Sequence, residues 1–557
     1  MRLVVAAVAL LILIAQVSSQ LLFPVNQLPF RLGGNSTAAG GAGVHWVEKR
    51  VPRIAVIGAG AGGSSAAYFL SHFAQLKDLG LETDVTVYES SDHVGGRSNV
   101  LWPWNDDPLV DPRPLGATQN DTEYEPPVEM GASIFVSANS NLQKAVREFG
   151  LELDAYGGEN GRTAVWDGER WVYEEKGAFG WGWWSKVKAV WRYGRSPFKA
   201  RSLVKSTVDN FLRLYSADFV SQGAFASLAN FSTATHLAGP ASHYADEYLT
   251  HSGVGELFTD ELISAATQVN YGSPITQIHG VGALVSLAAT GAMSVHGGNR
   301  RIFEEFVGRS GARLRLGETA RVQSILKLDA TKGKRAQWVV KTTSGVGGGT
   351  YDAVILAAPF HQSGIQVVNS VAASLIPKQA YIKLFVTFII TNASTPQPSY
   401  FDLPPDTHMP NEIFGTFTTP SRHKPTFSSL NYLKPLPAAL GARFGEGTFH
   451  VVKMFSSRSL EPEMLDALYG RGNVAKVVDK TWLAYPELRP VKSQGDFAPV
   501  RPDEGLYYVN GFERLISTME TETVSSFNVV SLLLNDLFDY TPPTSWAEWD
   551  DGEAAAS

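Results

Sequence analysis

The segment VIGAGAGG carries the most specific chemical signal in the sequence, with glycines at 58, 60 and 63. In this spacing Gly58 permits a tight turn, Gly60 lets the backbone approach a pyrophosphate, and Gly63 lets a helix pack closely on a strand. An apolar, β-branched run at 53–57 precedes the motif and an apolar stretch at 64–73 follows it, which indicates a strand and a helix. The pattern predicts a dinucleotide site that opens a βαβ unit.

An acidic residue is expected at the end of the next strand, where it would accept hydrogen bonds from the adenosine ribose. Glu89 ends the strand predicted over 84–89 and is assigned this role. Gly95, Gly96 and Arg97 then follow, an arrangement that resembles FAD oxidases of the amine-oxidase type and that NAD dehydrogenases usually lack. The resemblance implies FAD, with the glycines close to the phosphates and Arg97 as a fixed positive charge. A glycine-rich loop without a ligand is the alternative.

A third element lies far along the chain, where a strand pattern at 505–513 precedes a helix pattern at 518–535. In FAD oxidases of this type a late strand–glycine–helix unit returns to the cofactor, and the helix N-terminus faces the pyrimidine end of the flavin. Gly511 and Glu513 are therefore candidate cofactor contacts. Because an early and a late segment share one site, the FAD-binding domain is expected to be discontinuous in sequence.

The predicted fold class is α/β, with a Rossmann-like FAD-binding domain of the glutathione-reductase/amine-oxidase type and an inserted α+β substrate domain. A β-branched run at 381–391 is a clear strand of that inserted domain. The predicted units are a signal peptide at 1–19, a flexible lead-in at 20–50, FAD-binding segments at 51–140, 291–365 and 496–537, a helical substrate segment at 141–290, a sheet-forming substrate segment at 366–495, and an acidic tail at 538–557.

The composition limits the classes of function that remain. The chain has 557 residues, a formal net charge of -7 and no cysteine, so disulfides, thiolate metal sites and cysteine nucleophiles are excluded. The mild acidity argues against nucleic-acid binding. Redox chemistry must therefore come from a bound cofactor. The FAD is expected to be non-covalent, because no cysteinyl link can form and no histidyl motif is present, and no metal site is predicted.

Six segments in register resemble the prenylcysteine oxidase, or prenylcysteine lyase, family, and they lie at 128–152, 189–194, 268–287, 297–306, 482–490 and 506–530. The family's substrate is an S-farnesyl or S-geranylgeranyl cysteine, left when prenylated proteins are degraded. The resemblance implies hydride transfer from the prenyl C1 to FAD, capture of the cation by water, and collapse to a prenyl aldehyde and cysteine. Oxygen would then reoxidise the flavin and yield hydrogen peroxide.

Because a flavin performs the difficult step, the protein's tasks are orientation, exclusion of water and electrostatics. Lys453 and Lys383 are candidates for placing a water or oxygen near the flavin, although for each a position on the solvent face of its strand is preferred. Val322 matches a place where related FAD oxidases direct backbone groups toward adenine, and its side chain is interpreted as core.

Two other functions stay open beside a prenylcysteine oxidase. One is a lumenal FAD amine or polyamine oxidase, which shares the framework of Gly58, Glu89 and Gly95. The other is a flavin-containing lipid-binding protein whose oxidase activity is secondary.

Residues 166–201 interleave tryptophans with basic side chains, and the tryptophans are Trp166, Trp171, Trp181, Trp183, Trp184 and Trp191. Contact with a membrane surface and ordinary helix packing explain this pattern equally well. Binding of single-stranded nucleic acid is the third interpretation, and the acidic composition disfavours it. The sequence alone does not decide between the first two.

The N-terminus resembles a secretory signal, because Arg2 precedes an apolar run and small residues follow. N-glycosylation sequons begin at Asn35, Asn120, Asn230 and Asn392, and they add to the expectation of a lumenal or extracellular protein. We expect passage through the secretory pathway to a lysosome or vacuole lumen, or secretion.

Overall fold

The computed structural model describes residues 50–75, 79–112, 125–155, 162–174, 190–289, 291–330, 335–345 and 348–549. Within these residues, sheets of five, four and seven strands organise the fold. Two short antiparallel ladders join Asn99–Leu101 to Val128–Gly131 and Leu153–Ala155 to Met293–Val295. The predicted signal peptide lies outside the described residues.

The five-stranded sheet is entirely parallel. In spatial order its strands are Leu506–Tyr508, Ala353–Leu356, Arg53–Ile57, Asp84–Tyr88 and Arg313–Arg315. After Arg53 the central strand is apolar, because helices and a second sheet cover its two faces, and Ile54 and Val56 are fully buried. The strand predicted at 53–57 is confirmed.

Two helices that are distant in sequence pack together against one face of this sheet, Ala61–Ala74 and Met519–Phe538. The first begins before the predicted start at 64, because the glycine turn ends at Gly60 and the small residues after it already adopt helical geometry. The second begins where it was predicted, with Thr518 as its N-cap.

The four-stranded sheet consists of Gly349–Tyr351, Gln337–Thr342, Val322–Leu328 and Gln366–Val368. Its first three strands are antiparallel neighbours, and the last pairs in parallel. Trp338 and Tyr351 of this sheet are buried together with Tyr88 of the parallel sheet. The two sheets therefore share one apolar layer.

The seven-stranded sheet is a separate layer, with the order Val474–Pro486, Tyr381–Thr391, His450–Ser456, Ser429–Pro435, Glu412–Gly415, Thr163–Trp166 and Trp171–Glu174. The strand predicted at 381–391 is confirmed. Its neighbour His450–Ser456 has strands on both sides, and every residue after His450 is buried.

Short helices cover the remaining faces of the sheets. The α-helical and π-helical segments are Ser140–Phe149, Ser196–Leu212, Ala217–Val220, Leu228–Ala234, Ala238–Ala241, Ala245–His251, Glu256–Phe258, Thr259–Ile263 (π), Ser264–Tyr271, Gly280–Leu287, Arg300–Arg309, Phe360–Ser363, Ala372–Leu375, Ala438–Gly441 and Pro462–Tyr469. Short 3₁₀ turns lie at Arg213–Tyr215, Glu318–Ala320, Pro398–Phe401, Gln494–Asp496, Asn510–Arg514 and Trp546–Glu548.

A parallel sheet flanked by helices, joined to a second mixed layer, confirms the α/β class. The boundaries of the individual units remain a prediction. Trp546, inside the predicted acidic tail, is buried, and Lys144 Nζ donates to its carbonyl oxygen at 2.8 Å. In the part of the chain that the structure describes, no helix has both the length and the apolar character of a membrane span.

Candidate active site

The first glycine turn leaves no room for a side chain at Gly58 or at Gly63. Gly58 has φ of +107°, and a Cβ there would lie 2.4 Å from the carbonyl oxygen of Ala357. A Cβ on Gly63 would lie 1.9 Å from the carbonyl oxygen of Gly58. Gly63 therefore serves helix–strand packing, as its place in the motif predicts, and it does not face the cavity described below.

The second glycine pair closes on the first turn. Gly95 N donates to the carbonyl oxygen of Ala59 at 2.9 Å, and Gly60 and Gly95 form a parallel bridge. Both Gly95 and Gly96 have positive φ, and Gly96 Cα would lie 3.7 Å from a Cβ on Gly60. The two loops thus present bare backbone to the same space.

Glu89 stands at the rim of this space, directly after the strand Asp84–Tyr88. Ala59 N donates to its Oε2 at 2.9 Å, and Ser91 N donates to its Oε1 at 2.8 Å. Oε1 also accepts from Ser90 Oγ at 3.3 Å, so Oε2 is the carboxylate oxygen that can still accept a hydrogen bond from a ribose hydroxyl. We define the cradle as Gly58, Gly60, Glu89, Gly95 and Gly96.

Arg97 lies beside the cradle, and a carboxylate outside the cavity neutralises its charge. Its guanidinium forms an ion pair with the carboxylate of Glu513, which is fully buried. Glu513 also accepts hydrogen bonds from Tyr381 Oη at 2.8 Å and Asn510 Nδ2 at 2.6 Å. Arg97 faces the cavity and Glu513 does not, so the structure places Glu513 as the residue that holds Arg97.

The C-terminal helix directs its first turn at the same space. Thr518 caps it, accepting from Thr521 N at 3.1 Å, and both residues line the cavity together with Met519. A helix N-terminus of this kind stabilises negative charge, as the sequence predicts for the pyrimidine end of a flavin. Gly511, also a candidate contact, packs against Ala498 and does not line the cavity.

One cavity of about 600 Å³ connects these elements to the rest of the molecule. Beyond the cradle it has two further walls. The helical wall consists of Thr207, Val208, Phe211, Leu284 and Val285, and the sheet wall consists of Asn431, Lys453, Phe455, Trp482 and Tyr485. The lining of the cavity is mainly apolar on the helical side, which suits a hydrocarbon chain.

Lys453 is the cation of the sheet wall. Its side chain is 5% exposed, and Nζ donates to the carbonyl oxygen of Glu129 at 2.7 Å and to Ser133 Oγ at 3.0 Å. Burial lowers the pKa of Lys453 and raises the pKa of the Glu129 carboxyl. The prediction that Lys453 lies on the solvent face of its strand is wrong, because both faces of this strand are buried. The prediction of a solvent-face position is confirmed for Lys383, which is exposed and lies outside the cavity.

Comparisons with known proteins agree with this architecture. The sequence model of a family described as prenylcysteine lyase matches residues 177–542, more than half of the chain. The chain belongs to the prenylcysteine lyase family. A second model, described as an NAD(P)-binding Rossmann-like domain, matches residues 56–106, which include all the glycines of the cradle.

Members of the prenylcysteine lyase family align with nearly the whole chain. Farnesylcysteine lyase of Arabidopsis thaliana is 27% identical over 500 residues, covering 86% of this chain and 88% of that protein. Prenylcysteine oxidase 1 of Homo sapiens is 26% identical over 501 residues, covering 87% and 90%. The family named from the six sequence segments is therefore confirmed.

Solved structures show the same fold outside the prenylcysteine lyase family. Wild-type putrescine oxidase bound to putrescine matches with a TM-score of 0.52 and 13% identity, covering 87% of this chain and 99% of that one. Cyclohexylamine oxidase from Brevibacterium oxydans matches with a TM-score of 0.50 and 12% identity, covering 87% and 100%. At these identities the likeness concerns the fold, and it confirms the amine-oxidase type of FAD-binding architecture.

The residues present fit FAD. Bare backbone at Gly60 and Gly96 leaves room for a pyrophosphate, and Glu89 Oε2 can accept from a ribose hydroxyl. Val322 lines the cavity near this end, while its side chain is buried as expected. Among the described residues, Asn510 Oδ1 and Glu522 Oε1 are buried at the cavity without a hydrogen-bond partner, as polar atoms that meet a ligand would be.

Several site residues escaped the sequence analysis. Glu129, Asn431, Trp482 and Glu522 belong to no recognised motif and come from separate strands and one helix. Gly131 is the one hint in the sequence, because a glycine in a strand often marks a close neighbour. The structure shows that this neighbour is the Trp482 ring, 2.3 Å from the point that a Cβ on Gly131 would occupy. The residues on strands could be found only from strand pairing, and Glu522 only from the packing of its helix.

The tryptophan-rich region divides between core and surface. Trp166 and Trp171 both pack against Phe401, with ring centroids 5.2 Å and 5.0 Å away. Packing is confirmed for these two, but helix packing was wrong, because both lie on strands of the seven-stranded sheet. Trp191 is 89% exposed. The other tryptophans, Trp181, Trp183 and Trp184, lie outside the described residues.

Proposed function

We propose that this protein is an FAD-dependent oxidase that cleaves the thioether of S-prenyl-L-cysteine, with a farnesyl or geranylgeranyl group. The balanced reaction takes one prenylcysteine, one O₂ and one water, and it yields one prenyl aldehyde, one cysteine and one H₂O₂. The C–S bond breaks, the carbon next to sulfur is oxidised to the aldehyde, and O₂ is reduced to peroxide. Membership of the prenylcysteine lyase family supports this reaction.

The observation that carries the proposal is the continuity of one cavity from the cradle to the helical wall. The helices Ser196–Leu212 and Gly280–Leu287 pack on each other and present Val208, Phe211 and Leu284 to it. A prenyl chain buried there would contribute about 0.8 kcal/mol for each CH₂ removed from water. An oxidase for a long hydrocarbon thioether needs this juxtaposition of cofactor cradle and apolar wall.

FAD, when bound, supplies the two-electron oxidation at the carbon beside sulfur. The protein's own residues orient the substrate and control water. Lys453 Nζ uses two of its protons on Glu129 and Ser133, and we propose that the third holds the water that adds to the oxidised carbon. The rings of Phe388 and Phe455 lie 5.9 Å and 4.9 Å from Nζ, which keeps this cation fixed at the wall.

Peroxide release from purified protein tests the function. Farnesylcysteine should give peroxide, aldehyde and cysteine in equal amounts, whereas spermine and putrescine should give none. Peroxide with the amines and none with the thioether would show an amine oxidase instead. Tight binding of farnesylcysteine without any turnover would support a flavin-containing lipid-binding protein.

We also propose passage through the secretory pathway to a lysosome or vacuole lumen, or secretion, with N-glycans. Asn230 and Asn392 are exposed and thus accessible to modification, while Asn35 and Asn120 lie outside the described residues. Expression in a secreting eukaryotic cell should give a mass shift that glycosidase removes and that Asn230→Gln and Asn392→Gln each reduce. An unshifted, cell-retained protein would contradict this proposal.

Peripheral contact with an anionic membrane is proposed for the surface that includes Trp191. Trp191, Phe198 and Leu257 are exposed apolar side chains, at 89%, 46% and 46%. Arg195 and Lys199 lie in the same stretch and would meet lipid phosphates. Phosphatidylserine liposomes should co-sediment the protein, and Trp191→Ala/Phe198→Ala should reduce the bound fraction. Equal binding by both, or none by either, would contradict the contact.

A further inference from the structure

Glu522 is a buried acid beside the cradle that no motif explains. It lies in the first turn of the C-terminal helix, is 6% exposed, and lines the cavity. Its Oε2 accepts from Asn510 Nδ2 at 3.2 Å. Within the part of the chain that the structure describes, its Oε1 has no hydrogen-bond partner. A buried carboxyl oxygen without a partner destabilises the protein, so a ligand that forms the missing hydrogen bond is stabilised there.

The position of Glu522 indicates which ligand group that is. Its Oε2 lies 2.9 Å from the point that a Cβ on Gly62 would occupy, in the first turn of the helix Ala61–Ala74. That turn has no acidic residue and no side-chain cap, and Gly60, Ala61 and Gly62 line the cavity. A dinucleotide pyrophosphate is expected to lie at such a turn. An ionised carboxylate at this distance would repel it.

The charges around Glu522 favour its neutral form. Burial, followed by the neighbouring carboxylate of Glu513, raises the pKa of Glu522 well above its ordinary value, while Arg97 opposes the shift. Arg97 is already paired with Glu513, and the phenol of Tyr508 also faces this group. Among the described residues Arg97 is the cation that acts on Glu522, and its ion pair is formed with Glu513.

We propose that Glu522 binds FAD as a neutral acid, donating its proton to an oxygen of the FAD pyrophosphate. Because this hydrogen bond exists only while Glu522 is protonated, retention of FAD depends on pH. Retention should weaken as the pH rises and Glu522 ionises, because a donor is lost and a repulsive charge replaces it. The inference rests on the FAD site of the proposed function and does not involve the substrate.

Release of FAD from the holoenzyme tests this role without any thioether. Free-flavin fluorescence is followed after dilution, at about pH 6 and about pH 9. Wild type should release FAD about tenfold faster at the higher pH. Glu522→Gln keeps a neutral donor and should release slowly at both values, whereas Glu522→Ala should release fast at both.

Glu520→Gln is the matched control, because Glu520 also lines the cavity and burial raises its pKa to about 7, within the pH range of the experiment. Unlike Glu522, its oxygens accept from Tyr215 Oη and from the N–H groups of Asn141 and Leu142. This variant should lower thermal stability and keep the wild-type pH response of FAD release. A shared pH response in wild type and Glu522→Gln, or tight retention by Glu522→Ala, would overturn the inference. If Glu522→Ala fails to fold, the comparison with Gln still decides.

The outcomes separate this inference from the proposed function. If FAD release depends on Glu522 as stated, but farnesylcysteine does not reduce the bound flavin, the proposed function alone is contradicted. Flavin that is reduced by farnesylcysteine, but is released independently of Glu522, contradicts the inference alone. Protein purified without any flavin contradicts both.

Discussion

The cradle and the two walls belong to one cavity, but they are built from different parts of the chain in different ways. The cradle uses backbone groups from two short loops together with the Glu89 carboxylate, and at Gly58 and Gly95 a Cβ would collide with neighbouring backbone. The helical wall and the sheet wall use side chains from segments that are far apart in sequence. The difference suggests that the cradle decides whether FAD is held, and the walls decide what the bound FAD oxidises.

The largest effect is expected at Gly63. A Cβ there would lie 1.9 Å from the Gly58 carbonyl oxygen, so Gly63→Ala must displace the helix Ala61–Ala74 from its strand. We expect no folded flavoprotein, measured by flavin absorbance of the purified protein. Gly308→Ala is the matched control in another helix, because nothing lies within 4 Å of its added Cβ. This control should gain about 0.5–1 kcal/mol of stability.

Lys453→Met tests the sheet wall. We expect turnover of farnesylcysteine to fall about a hundredfold, because the water is no longer held, while flavin content stays normal. Lys383→Met, a substitution of an exposed lysine on the adjacent strand, should change turnover by less than about twofold. Steady-state peroxide assays on both variants measure this. Equal activity of Lys453→Met and wild type would show that the lysine only supports the fold.

His279 joins the helix Gly280–Leu287 of the helical wall to the 3₁₀ turn Asn510–Arg514. Protonation of His279 should weaken this link. Its Nδ1 accepts from Gly282 N at 3.0 Å and its Nε2–H donates to the Arg514 carbonyl oxygen at 3.3 Å. Burial lowers the pKa of His279 to about 4. Below the unfolded pKa of about 6.5, the unfolded chain binds a proton that the folded chain does not. The free energy of unfolding therefore decreases as the pH is lowered from about 6.5 toward 4.

The expected loss from His279 between about pH 7 and pH 5 is about 2 kcal/mol. Denaturant unfolding at several pH values measures it, with His279→Gln as the reference that lacks this titration. The difference between the two slopes should approach one proton. Parallel slopes in the two proteins would contradict a neutral, buried His279 as the joint.

The smallest effect is expected at the helical wall. Phe211→Ala removes one of several apolar contacts to the prenyl chain and leaves the cradle intact. The KM for farnesylcysteine should rise about tenfold with little change in kcat, since the lost contact is equal in the ground and transition states. The melting temperature of flavin release should stay that of wild type. A fall in flavin content instead would mean that the walls and the cradle are not separable.

Much of the cradle could be predicted from sequence, because its function requires glycine at fixed spacing after a strand. The strand at 53–57 and the motif glycines follow directly from local pattern. Glu513 was harder, since its motif position predicts a cofactor contact and only the pairing with Arg97 shows its role. Local pattern finds where a backbone must be bare, and it does not show which side chain stands behind it.

The sheet wall could not be predicted, because its polar groups meet through strand pairing across long stretches of chain. Lys453 lies opposite Asn431 in the sheet and bonds to Glu129 and Ser133, more than three hundred residues earlier. The strand around Lys453 is buried on both faces, so the alternation that marks a solvent face is absent. A lone lysine in an otherwise apolar strand indicates a buried polar site, because a buried cation requires hydrogen-bond partners.

The spectrum of the bound flavin under anaerobic conditions tests the central claim most directly. Farnesylcysteine added to the oxygen-free holoenzyme should bleach the oxidised flavin bands and release the prenyl aldehyde in a single turnover, and admitting oxygen should restore the bands with one equivalent of peroxide. Flavin that stays oxidised with farnesylcysteine and geranylgeranylcysteine would contradict the proposal that this cavity brings a prenyl thioether to FAD.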